Sequence, residues 1–111
     1  MLVAFSVAPS GAGPETSGPA DSVHLAVAEA VRIVRESGLP NHTDAMFTTI
    51  EGDWDEVFAV VKAATDAVGT FGTRVSLVLK ADIRPGHTGE ITGKVERVES
   101  VLAAPESSLR D

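Results

Sequence analysis

Apolar residues alternate from the start of the chain and predict a strand over Leu2 to Ala8. Val3, Phe5 and Val7 share one face, and Leu2, Ala4 and Ser6 share the other. Neither face carries a charge, so both are expected to be covered. A connection rich in Gly, Pro and Ser runs from Pro9 to Ala20. It leads to Asp21 and Ser22, either of which can cap a helix. Val23, Val27, Ala30, Val31 and Val34 then recur at helical spacing, with Glu29, Arg32, Arg35 and Glu36 turned away. Gly38 and Pro40 supply the stop. Asn41 to Gly52 reads as two short strands joined tightly near Ala45 to Phe47, the second being Thr48 to Gly52, rich in β-branched residues. Asp53, with Glu56 three residues later, has the form of a capping box. The helix it opens places Trp54, Val57, Phe58, Val61, Ala64, Thr65 and Val68 on one stripe, and Gly69 and Gly72 end it. The longest strand is Thr73 to Arg84, where Val75, Leu77, Leu79 and Ala81 alternate with Ser76, Val78, Lys80 and Asp82. A turn-rich loop, Pro85 to Gly93, precedes a short amphipathic helix carrying Val95, Val98 and Leu102. Pro105 to Asp111 is expected to be a flexible tail behind one domain spanning residues 1–104.

The order strand, helix, strand, strand, helix, strand predicts an α+β, ferredoxin-like βαββαβ sandwich with an antiparallel four-stranded sheet and an appended C-terminal helix. Right-handed crossovers put the first two helices on one side of the sheet. The opposite face then carries Leu2, Ala4, Ser6, Ser76 and Val78, which is too apolar to stand in water. Face-to-face packing of two such sheets covers it, so a homodimer or homotetramer is expected.

Composition narrows the chemistry. The 111 residues contain no cysteine, which excludes disulfides, thiolate metal sites and a cysteine nucleophile. Sixteen acidic against nine basic residues give a net charge of −7, a poor match to nucleic acid or an anionic membrane. The apolar N-terminus lacks the charged flank and length of a signal peptide, and no run reaches membrane-spanning length. A soluble cytoplasmic protein is expected.

Few residues suggest catalysis. The glycines from Gly11 to Gly18 match neither phosphate-binding motif, and a connector explains them better. His24, His42 and His87 fall in different elements without metal-ligand spacing; His42 and Asp44 alternate and could share a ligand, yet no metal site is expected. No serine has a neighbouring base. Thr48, Thr49, Glu51 and Asp82 stand out more. Ile50 facing the helices puts Thr48 on that side and Thr49 and Glu51 on the other. Polar groups at a strand end before a helix can line a pocket, with Met46, Phe47 and Trp54 as apolar walls. Strand preference and a Glu51–Lys80 pair would explain the same residues without a ligand.

The run Met46-Phe47-Thr48-Thr49-Ile50-Glu51-Gly52-Asp53-Trp54-Asp55-Glu56-Val57 resembles the signature of the small thiamine-binding protein family, a T-x-x-E-G followed by an acidic or aromatic pair and a helix. Val27 to Ala30, Ser37 to Leu39, Lys80 with Asp82 and Arg84, and Lys94-Val95 strengthen the likeness, which covers residues 2 to 102. It implies a ferredoxin-like fold, sheet-to-sheet oligomers, usually tetramers, and binding of thiamine or its hydroxymethylpyrimidine portion without catalysis, cofactor or metal. By this likeness Ser22, Met46, Thr48, Glu51, Trp54 and Asp82 are the ligand-binding residues. Many members carry Pro and Gly in the hairpin before the threonine, where this chain has Ala45 and Phe47. The loops Pro9 to Asp21 and Pro85 to Gly93 are expected to rim the pocket. Thiamine presents a cationic thiazolium and an aminopyrimidine. It calls for an apolar slot, a carboxylate such as Glu51 for the exocyclic amine, one or two hydroxyls, and an aromatic face such as Trp54 or Phe47. Two other functions fit the same fold: a cofactor-free dimeric enzyme using His42 or Asp82, and a ligand-sensing regulatory subunit.

Overall fold

The computed structural model describes residues 1–11 and 19–104, with the backbone alone for residues 19–22. Residues 12–18 of the first connection, the side chain of Ser22 and the tail 105–111 lie outside this description. The elements are β1 (Leu2–Ser10), α1 (Pro19–Glu36), β2 (Asn41–Thr43), β3 (Thr48–Glu51), α2 (Trp54–Val68), β4 (Arg74–Asp82) and α3 (Glu90–Ala103), with a 3₁₀ turn at Gly69–Phe71. The strands form one antiparallel sheet in the order β2-β3-β1-β4, the ferredoxin-like arrangement expected from the element order.

One face of the sheet is sealed. Val3, Phe5 and Val7 of β1 and Ile50 of β3 meet Ala26, Ala30 and Val34 of α1 and Val57, Val61, Ala64 and Val68 of α2. The buried alanines Ala26, Ala30 and Ala64 stand among the valines of this core, small beside large, as close packing requires. The other face of β1 is only half-buried, so the expectation that both are covered does not hold within one chain. Among the described residues, the start of α3, held by Glu51 at the end of β3, is what lies on that side.

Two helical stripes also differ from expectation. α1 begins at Pro19, before Asp21 and Ser22, as suits a proline whose missing N–H costs nothing in a first turn. Its buried line is Ala26, Ala30 and Val34, while Val23 and Val27 are exposed. These three join the core formed with α2 and the sheet, and Val23 and Val27 lie one position on, outside it. In α2 the buried line is Val57, Val61, Ala64 and Val68. Trp54 falls off it, 55% exposed, and stacks on Phe58 with ring centroids 5.2 Å apart.

α3 projects from the body. Val95, Val98, Val101 and Leu102 are exposed and only Glu90 is buried. The Cα radius of gyration is 17.2 Å, against about 13 Å for a compact chain of this length.

Candidate ligand-binding site

β3 begins with Thr48 and ends with Glu51, and the structure sends the two to different tasks. At its first residue, Thr48 points to the helix side and is 8% exposed. Its hydroxyl lies 3.5 Å from that of Thr43 across the hairpin. At its last residue, Glu51 is 6% exposed on the opposite face, and both carboxylate oxygens are engaged. The amides of Glu90 and Ile91 donate to them at 2.9 and 3.2 Å. Glu51 therefore caps α3 from 39 residues away. A distant cap is needed because Gly89, at φ +69°, has no side chain to offer.

Asp82 belongs to the same anchorage. It pairs with Lys94 of α3, and Glu90 pairs with Arg97. The Lys94 ammonium holds the Asp82 carboxyl below its ordinary range, and the Arg97 guanidinium does the same for Glu90. Depressed carboxyl pKa values lend stability above the ordinary carboxylate range and lose it as pH falls through the folded values. The thermal midpoint is expected to be flat from neutrality to about pH 5 and to fall below about pH 4. Amide exchange should show α3 losing protection first. A midpoint that rises on acidification would contradict this anchorage.

Around Thr48 the chain leaves a recess of about 160 Å³ between α1, β1 and the β2–β3 turn. Phe5, Val27, Ala30, Val31 and Phe47 supply apolar walls, and Met46, 73% exposed, stands at the mouth. The turn is built by Asp44, whose Oδ1 accepts from the amides of Met46 and Phe47 at 2.8 and 2.9 Å. Its amide donates to the Phe47 carbonyl at 3.0 Å. This side-chain turn works without glycine, since no described non-glycine residue has positive φ, and it explains how Ala45 and Phe47 can stand there. The two amides hold the Asp44 carboxyl below its ordinary range.

The main chain adds a further pair of polar groups. β3 pairs with β1 only over Leu2–Phe5, whereas β4 pairs along Leu2–Ser10 without interruption. The Met1 carbonyl accepts from Gly52 beside β3, and the Ser10 carbonyl from Thr73 beside β4. In an antiparallel strand each residue aims N–H and C=O to one side, alternately. Odd-numbered residues of β1 therefore face β3, and Val7 offers its N–H and C=O past the end of β3, where no described strand stands. Val7 lines the recess. Sequence reasoning missed Val7, because the signal is a strand-length mismatch, not a side chain. It also read Asp44 only as a possible partner of His42.

Trp54 and Glu51 border a different space, a cleft of about 1010 Å³ between the start of α2 and the loop Ile83–Gly89. The structure thus brings Met46 and Thr48 together, sets Glu51 and Asp82 at the base of α3, and leaves Trp54 at the cleft. The Pro85–Gly89 segment rims that cleft and not the recess. His42 is exposed on the outer sheet face, opposite Thr49. Among the described residues, no helix is long and apolar enough to cross a membrane.

Comparison with known proteins places the chain among relatives of the same size. The family model described as thiamine-binding protein matches residues 3–99. A UPF0045 protein of Mycobacterium bovis is 54% identical over 107 residues, covering 96% of this chain and 98% of the relative. A solved structure of the protein MJ1052 from Methanocaldococcus jannaschii superposes with a TM-score of 0.71 at 28% identity, covering 88% of this chain and 94% of the other. A Thermotoga maritima protein, described provisionally as one of thiamine biosynthesis or salvage, shares the fold with a TM-score of 0.69 at 23% identity, covering 87% and 96% of the two chains.

Proposed function

This chain belongs to the thiamine-binding protein family, and from that premise we propose that it binds thiamine, or its hydroxymethylpyrimidine portion, without transforming it. The observation that carries the reading is the Thr48 recess, in which polar groups of the right kinds border an apolar slot. An aminopyrimidine offers an amine donor beside a ring-nitrogen acceptor. The Val7 carbonyl and amide are an acceptor and a donor side by side, and the Thr43 and Thr48 hydroxyls serve as either. A recess of about 160 Å³ takes one ring, so the pyrimidine enters and the thiazolium leaves past Met46. Asp44 stands at that exit, and its depressed pKa keeps it anionic to accept from an amine or face the cation.

Assembly is a second part of this reading. Leu2, Ala4, Ser6 and Val78 share the outer sheet face, Val78 being 56% exposed. Packing two such faces together in a cytoplasmic homo-oligomer covers them.

Calorimetric titration tests the binding. Thiamine and hydroxymethylpyrimidine are expected to saturate with dissociation constants in the micromolar range, about −8 kcal/mol. Absence of both heat and thermal shift at millimolar ligand overturns the proposal.

A further inference from the structure

The cleft beside Trp54 is left without a role by the recess at Thr48. Its volume of about 1010 Å³ is at the upper end of small-molecule sites. Leu39, Ile83 and Ile91 contribute apolar wall, and the indole of Trp54 stands 55% exposed at its edge, backed by Phe58. An indole held rigidly from behind offers its free face without further loss of side-chain freedom.

The charges around the cleft decide what that face can receive. Two helices start here, and helix starts favour anions. Both are already answered by carboxylates. Glu51 accepts the first amides of α3, and the Glu56 carboxylate accepts the Asp53 amide at 3.1 Å at the start of α2. Arg84 and the Met1 ammonium are the fixed cations of the lining, the ammonium donating to the Gly52 carbonyl at 2.9 Å, against the four carboxylates Glu51, Asp53, Asp55 and Glu56. His87 approaches the Pro85 carbonyl with its Nδ1 at 3.3 Å. Asp53, which closes the capping box of α2, and Asp55 lie on the Trp54 side of the cleft, both exposed. A cation is therefore favoured over an anion.

We infer that this cleft is a second binding site, for a small organic cation with an apolar body, seated on the Trp54 indole and faced by Asp53 and Asp55. The site is separate from the Thr48 recess and does not depend on the function proposed for it.

Trp54 is the single tryptophan of the chain, so its emission reports on this cleft alone. Titration with benzyltrimethylammonium is expected to change that emission saturably, while its uncharged carbon isostere produces no saturating change. Asp55→Asn should raise the half-saturation concentration about three- to fivefold, the effect of one exposed charge. Trp54→Ala, followed by calorimetry, should abolish saturable heat. Thr48→Val should leave the response intact, which separates this site from the recess. Linear, unsaturable quenching, an equal response to the uncharged isostere, or unchanged binding in Trp54→Ala would each overturn the inference.

Discussion

Replacing Glu51 with alanine is expected to free the start of α3, lower stability by about 3 kcal/mol and leave thiamine affinity within about twofold. The carboxylate is buried and accepts two backbone amides. Hydrogen bonds to a charged acceptor contribute about 1.5–3 kcal/mol each, and part of the loss is recovered when the freed amides reach water. For a chain of this size the thermal midpoint should fall by about 13 °C. Glu51→Gln keeps one accepting oxygen but turns an amine toward the second donor, so it should fall between the two. Denaturant unfolding measures the loss, and hydrogen exchange at Glu90 and Ile91 locates it. Thiamine affinity decides the interpretation. If it drops tenfold or more while the fold persists, Glu51 touches the ligand and the binding site is the cleft, not the recess.

Thr48→Val is expected to do the reverse: weaken thiamine binding about 10- to 100-fold and change stability by less than about 1 kcal/mol. Valine keeps the shape and the β-branch that suit a strand. Among the described residues, the hydroxyl it removes has only the distant contact to Thr43 at 3.5 Å. With ligand bound, a buried donor or acceptor loses its partner, which costs about 1–3 kcal/mol. Parallel calorimetry and thermal unfolding on the same preparation separate the two effects. Unchanged affinity would remove Thr48 from the site.

The fold was legible because each element carries its own period. Val3, Phe5 and Val7 announce a strand, Val57, Val61, Ala64 and Val68 a helix, and the order of elements leaves one familiar arrangement. The helical faces were less legible. Sequence favours the larger residue as core, so Val23, Val27 and Trp54 were read inward. Ala30 and Val34 are buried as the spacing predicts, and Ala26 takes the place in the core that the spacing gives to Val23 and Val27. The site was half legible. Thr48 and Met46 are neighbours in sequence and in space. Glu51 stands three residues from Thr48, an odd step that turns it to the opposite face, and only the position of α3 shows what it holds. Val7 contributes through its backbone, and no side-chain pattern can report that.

The unpaired end of β1 has a cost that the chain must manage before any ligand arrives. Backbone that no described strand pairs is a template on which a foreign strand can add, the first step toward intermolecular fibrils. By the alternation that aims Val7 outward, Pro9 is the next residue facing that side, and it has no N–H to give. An intruding strand would find a donor at one position and none at the next, so the notch admits a small ring more readily than another chain.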